Sequence, residues 1–449
     1  MKFKPTLRNL ILATIGASSL SLHAATIDLD LTTNNSGAIT LDSGTNTFSF
    51  SGFSVDYLIV GGGGGGGGGT THNSNAGGGG GAGGLREGST SIGGLQEIVV
   101  GGGGAGGNNS RGASGQDSTA LGFTSLGGGG GGFYNGNGLD GGSGGGAGAR
   151  GTFPDGTNVN GGLAVGGAGS LGNDGGSRLD TSSSASGGGG AGGAGADGGG
   201  TSAGGAAVTR NITGTDVMYA GGGGGGRNSG LAGASDTGGT GGVGNSIAAS
   251  IGTANTGGGG GGSGTGVTTG AAGGSGIVVV RYTGDNLLVG GDIVSTVGGD
   301  TVHQFTSTGT STMGFNATVA GNISGAGDLT WDGRGTLTLT GTSAFDGSTT
   351  VNASMLAILG SVQTTNLAFL NDGTIDLGST GQLFVLASNY SLVTAEADVL
   401  AGKIFGDNTL FVSTTTIGSD EYVYFNAIPE PTTALLGGLG FLMLLRRRR

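Results

Sequence analysis

The sequence predicts an all-β, repeat-type fold: a polyglycine-II-type glycine-rich sandwich, then a short parallel β-helix-like solenoid, then a C-terminal hydrophobic helix. Three observations carry this. Glycine makes up 119 of the 449 residues, far above the usual ~7%, and most of it falls between Gly61 and Gly276. Short apolar triplets stand at the mouths of the glycine runs. Beyond Gly284 the texture changes to short alternating strands spaced by Gly, Asn and Asp, the pattern that stacked rungs require.

The first element is residues 1–24. Lys2, Lys4 and Arg8 form a positive region before the apolar stretch Leu10 to Leu22, and Leu22-His23-Ala24 is followed by small residues. This order reads as a secretory signal peptide cut near Ala24. Ser18, Ser19 and Ser21 interrupt an apolar part that is already short of the ~20 residues a spanning helix needs.

Residues 25–53 form an N-terminal β segment. Ile27, Leu29 and Leu31 alternate with polar residues. Phe48 and Phe50, then Phe53, Val55, Tyr57 and Ile59, alternate again with a one-residue slip beside Gly52, which suggests a bulge there.

Residues 54–283 are the glycine-rich domain. Its longer runs are Gly61 to Gly69, Gly77 to Gly81, Gly101 to Gly104, Gly127 to Gly132, Gly187 to Gly190, Gly221 to Gly226 and Gly257 to Gly262. Leu58-Ile59-Val60, Ile98-Val99-Val100 and Met218-Tyr219-Ala220 lead into three of them, and Ile277 to Tyr282 closes the unit as a strand. A flexible linker is the competing reading, because ordering glycine costs ~0.5 to 1 kcal/mol more than ordering alanine. A linker has no use for recurring apolar triplets. A polyproline-II-like glycine helix makes no internal hydrogen bonds, so its N–H and C=O groups point outward to neighbouring rods, and nine residues span ~28 Å. With Val55 to Val60 entering Gly61 to Gly69, and Gly273-Gly274-Ser275-Gly276 leaving into Ile277 to Tyr282, this half of the chain resembles the glycine-rich domains of phage tail-fibre adhesins and of certain receptor tyrosine kinases. That resemblance implies packed polyglycine II helices with recognition by the loops between them. The loops Thr70 to Ala76 and Phe133 to Asp140 are the candidates, and Phe133 and Tyr134 beside Asn135 and Asn137 would suit sugar stacking.

Residues 284–426 read as the solenoid. Strands are predicted at Val302 to Ser307, Leu329 to Trp331, Leu337 to Leu339, Thr349 to Val351, Thr374 to Leu377, Leu383 to Leu386 and Tyr422 to Phe425. The stretch Gly327-Asp328-Leu329-Thr330-Trp331-Asp332-Gly333-Arg334-Gly335-Thr336-Leu337-Thr338-Leu339-Thr340-Gly341, followed by Phe345 to Ala353, resembles the autotransporter-associated β-strand repeat, which implies a parallel β-helix. One clear copy is present, with Gly373 to Gly378 as a further rung. The chain shows no terminal set of ten-residue strands in an outer-membrane pattern.

Residues 427–449 end the sequence. Pro429, Glu430 and Pro431 precede the apolar run Thr432 to Leu445, then Arg446, Arg447, Arg448 and Arg449. The apolar run covers only ~21 Å at 1.5 Å per residue, less than a ~30 Å hydrocarbon core, and the arginines resist transfer through a bilayer. A temporary hold in the membrane is the physical reading. The three parts in this order resemble the PEP-CTERM sorting signal of Gram-negative bacteria. The resemblance implies export through the inner membrane, recognition and cleavage by an exosortase, and delivery to the cell surface or extracellular matrix.

Composition narrows the function. Removing Lys2, Lys4, Arg8 and the four terminal arginines leaves nine basic residues against 28 acidic ones, about −19, so a nucleic-acid partner is not expected. With no cysteine, stability cannot come from disulfides and no thiol chemistry is available. Asp56 to Gly61 imitates a strand feeding a dinucleotide turn, but Gly61 to Gly69 and Thr70-Thr71-His72 cannot start the helix that holds a pyrophosphate. Gly192 to Asp197 is similar to a calcium nonapeptide that does not repeat. His72 and His303 lack metal-ligand spacing. No cofactor, metal or catalytic set is expected. A lone Arg334 near Trp331 is the one candidate sugar contact in the solenoid. The expectation is a non-catalytic structural protein of the cell surface or matrix, with exopolysaccharide as a candidate partner. A surface adhesin binding glycans through loops is the alternative, and a β-helix polysaccharide-degrading enzyme the remote one.

Overall fold

The computed structural model describes residues 25–427, except 72–74, 151–158, 166–169, 179–182, 200, 230–232, 234 and 408–409. The signal segment and the C-terminal hydrophobic helix lie outside the described residues. Within them the protein is all-β with one short helix, Leu392–Leu400.

Three parallel stacks form the β-solenoid. One runs Ala25–Leu29, Thr45–Phe50, Asp328–Trp331, Ser348–Asn352 and Asn366–Leu370. The second runs Ile39–Leu41, Ile323–Gly325, Thr342–Phe345, Ser361–Thr364 and Gln382–Leu386. The third runs Gly309–Val319, Arg334–Leu339, Met355–Ile358, Thr374–Asp376 and Ile404–Phe405. Alternate residues point inward, and Leu329, Trp331, Leu337, Val351, Leu356, Ile358, Val362 and Ile375 are fully or almost fully buried. Rung corners are tied by a polar ladder of 20-residue period: Asn316 Oδ1 accepts from Thr336 N at 2.8 Å, Asn322 Oδ1 from Thr342 N at 3.0 Å and Asp328 Oδ1 from Ser348 N at 2.7 Å. More rungs exist than the single repeat copy announced. The stretches 315–333, 334–354 and 355–373 each give one strand to each stack, while the Trp-Asp-Gly turn occurs only in the first, at 331–333.

The solenoid begins far from where the sequence puts it. Thr45–Phe50 pairs with Asp328–Trp331 and Ile39–Leu41 with Ile323–Gly325, so the segment 25–53 supplies the first rung and the glycine-rich region is an excursion between rungs. The slip beside Gly52 is therefore a corner, with Gly52 at φ +70°, where the chain leaves one sheet for another.

That second sheet is antiparallel, in the order Leu85–Ile92, Phe53–Val60, Ile277–Thr283, Asp300–Phe305, Ile293–Val297. Its strands pass directly into glycine rods at Val60, Leu85 and Ile277. The predicted strand at Val302 to Ser307 belongs here, not to the solenoid.

The rods form a lattice with a three-residue period. The amides of Gly61, Gly64 and Gly67 donate to Gly84, Gly81 and Gly78; those of Gly62, Gly65 and Gly68 donate to Gln116, Ala113 and Ser110; those of Gly63 and Gly66 donate to Gly274 and Ala271. Its carbonyls accept from Gly104 and Gly107, Gly128 and Gly131, and Gly260 and Ser263. Rod 61–69 thus has six neighbours, as three residues per turn and outward-facing polar groups dictate. A Cβ on Gly65 would overlap the carbonyl oxygen of Ala105, which is why these positions are glycine.

One core links rods and solenoid. Gln96–Val100 pairs antiparallel with the first half of Gly309–Val319, whose second half pairs parallel with Arg334–Leu339. Ile59, Ile98, Val278 and Tyr282 share a buried cluster with Phe315, Trp331 and Leu337.

Candidate functional site

The predicted processing residues, Ala24, Pro429, Glu430, Pro431, Arg446, Arg447, Arg448 and Arg449, lie outside the described residues, as does His72 in the loop after the first rod.

The loop Phe133 to Asp140 caps neighbouring rods. The rings of Phe133 and Tyr134 are 6.1 Å apart, both half-buried, and the Arg150 guanidinium lies 5.4 Å over Tyr134. Asn135 Oδ1 accepts from Nη2 of the buried Arg178 at 2.7 Å. The aromatic pair is thus built into the bundle end, and the accessible polar surface lies beside it. There Asn137, Asp140, Asn160, Leu163, Asp174 and Ser177 line a groove of about 360 Å³. Their side chains tie loop to loop: Asp140 Oδ1 accepts from Leu163 N, Asp174 Oδ1 from Ala164 N and Asp197 Oδ1 from Ser177 N, each at 2.7 Å. Leu163 is 56% exposed at the rim. The sequence does carry a signal for this groove that the run-by-run reading passed over: Asx-Gly-Gly recurs at Asp140, Asn160, Asp174 and Asp197.

A larger cleft of about 710 Å³ opens where the first rung meets the antiparallel sheet. Asp28, Asp30, Asp56, Phe53, Arg281 and Tyr282 line it. Ser51 donates to Asp28, Ser89 to Asp56, and the amide and hydroxyl of Thr32 to Asp30. Arg281 is held by Asp300 at 2.8 Å. The Thr32 hydrogen bonds hold the Asp30 carboxyl below its ordinary range, and the Arg281 and Thr283 bonds do the same for Asp300. Carboxylates kept ionised by donors accept hydrogen bonds; they are poorly placed to deliver a proton.

Two sequence candidates are relocated. Trp331 has no exposed surface; it packs edge-on against Phe315 at 5.1 Å and donates from Nε1 to Gly335 O. A sugar cannot stack on it, and Arg334, exposed at φ +61°, is a corner residue. His303 is fully buried, with Nδ1 2.6 Å from Gly290 O and Nε2 3.1 Å from the Tyr282 hydroxyl. The carbonyl requires a proton on Nδ1, so Nε2 accepts from Tyr282, whose oxygen accepts the amides of Leu287 and Leu288. Burial lowers the His303 pKa and raises that of Tyr282. The pair fastens the turn at 284–291. The Gly192 to Asp197 stretch also has a structural role through Asp197. Among the described residues no three His, Asp or Glu side chains converge as a metal set would.

Rods locked by backbone bonding, strands feeding them and loops crowning them define a glycine-rich module, here set between rungs of a β-solenoid. The family model described as a glycine-rich domain matches residues 40–283, and the chain belongs to that family. No curated protein matches the chain.

Proposed function

We propose that the protein is an exported, non-catalytic structural component of the cell surface or extracellular matrix, processed at both ends. The observation that supports this best is the body itself, in which rods held by a backbone lattice and stacked rungs share one buried core, suited to bearing load without disulfides. Among the described residues no helix is long and apolar enough to cross a membrane. In this reading the tail is a PEP-CTERM signal for an exosortase, the hydrophobic run holds the membrane only transiently, and the rung around Trp331 is an autotransporter-associated repeat. Intact mass of the exported protein tests it. The expected species begins at Ala25 and lacks Arg446 to Arg449; a mature form retaining those arginines sinks the reading.

The groove lined by Asn137, Asp140, Asn160, Asp174 and Ser177 favours a second reading, an adhesin that takes glycan hydroxyls on amide and carboxylate oxygens. A glycan array discriminates: silence leaves the structural role, and a signal abolished by Asp174→Ala selects adhesion. Release of sugars from polysaccharide by the purified protein would overturn both in favour of an enzyme.

A further inference from the structure

We propose that the C-terminal cap of the solenoid is a bilayer-contact face, seated on zwitterionic lipid while the hydrophobic tail is held in the membrane; this rests on the sorting reading above. The helix Leu392–Leu400 closes the last rung with Ala395 inward, and its opposite face shows Val393, 76% exposed, and Leu400, 90% exposed. Positions i and i+7 share a helix face, so these two and Ala397 make one apolar stripe. The helix touches Ile404–Phe405 and Leu410–Ile417, whose Phe405 and Phe411 are also exposed. In a protein so poor in aromatic residues, this concentration on the outermost cap has no partner among the described residues.

The end of the described chain says what covers it. Ala427 pairs with Leu410 and lies against Gly406, so the chain leaves from the cap itself. Four residues separate Ala427 from Thr432, where the apolar run begins, and the five Cα-to-Cα steps between them reach at most about 18 Å. Insertion of 432–445 therefore brings this end of the solenoid to the headgroup layer, where apolar side chains bury a few ångströms deep. Glu396 and Asp407 flank the stripe, and Lys403 is paired with Asp398 at 3.2 Å. The face is thus matched to uncharged lipid and is repelled by an anionic surface.

The test uses the full chain reconstituted with phosphatidylcholine vesicles containing brominated phosphatidylcholine, with the buried Trp331 as constant background. Three single variants report position: Leu400→Trp on the cap, Phe441→Trp in the tail and Ile251→Trp on the distant glycine module, where Ile251 is 70% exposed. Quenching of Phe441→Trp and Leu400→Trp by at least twofold, with Ile251→Trp unchanged and the Leu400→Trp effect smaller on phosphatidylglycerol, is the expected result. Quenching of Phe441→Trp alone overturns the cap proposal and leaves the sorting reading standing. Quenching of none overturns both. A blue shift of Leu400→Trp that grows with protein concentration without vesicles assigns the face to a second copy and also overturns the proposal.

Discussion

At the scale of single residues, the lattice makes opposite demands on glycines that look alike in sequence. The rod position Gly65 has no room for a Cβ, whereas Gly193 would meet nothing closer than 3.6 Å. Gly65→Ala should cost at least ~1 to 3 kcal/mol through overpacking against rigid backbone. Gly193→Ala should be neutral or stabilise by up to ~1 kcal/mol by restricting the unfolded chain. Urea midpoints of the two variants check this, and equal losses would mean that the rods are not packed as described. His303 makes a pH prediction. Burial holds its folded pKa below the ordinary histidine value of 6.5, so the unfolded state binds the proton first. Stability is fully present above about pH 6.5 and falls as pH drops from there toward the folded pKa. His303→Gln should flatten that slope in a pH series of melting temperatures, at some cost in stability at neutral pH.

Among elements, rods and rungs solve one problem by different means. A rod satisfies its backbone through up to six neighbours and buries almost no side chain. A rung satisfies its backbone through two neighbours and buries every second side chain. Hydrogen exchange should distinguish inner from outer rods. The amides of Gly61 to Gly68 all have acceptors and should exchange slowly, while those of Gly103 and Gly106, without a protein acceptor among the described residues, should exchange fast; uniform fast exchange would restore the linker reading. The lattice was foreseeable because the uninterrupted runs and the triplets ending at Val60 and Val100 are local signals. The first rung was not, because Asn46 and Asp328 meet across 282 residues and nothing near either announces the other. The rung 355–373 escaped because its corner uses Asn-Asp-Gly at 371–373 in place of the Trp-Asp-Gly turn at 331–333. The groove escaped because Asx-Gly-Gly is camouflaged in a glycine-rich background.

For the whole molecule, the decisive feature is that two architectures share one sheet and one core. Gly309–Val319 carries both kinds of pairing, antiparallel to Gln96–Val100 on one side and parallel to Arg334–Leu339 on the other. Ile98, fully buried, stands on the glycine-module side of that seam. If the modules were beads on a string, damage at Ile98 would stay in the glycine module. Because the core is continuous, Ile98→Ala should remove ~2 to 5 kcal/mol from both at once. The sole tryptophan, Trp331, reports the solenoid, and exchange at Gly61 to Gly68 reports the rods. Thermal melts of Ile98→Ala should show both signals shifting together to a lower temperature in a single transition. A rod signal that melts early while Trp331 fluorescence keeps its original midpoint would mean that the seam transmits no stability, and that load applied to the glycine module is not carried into the solenoid.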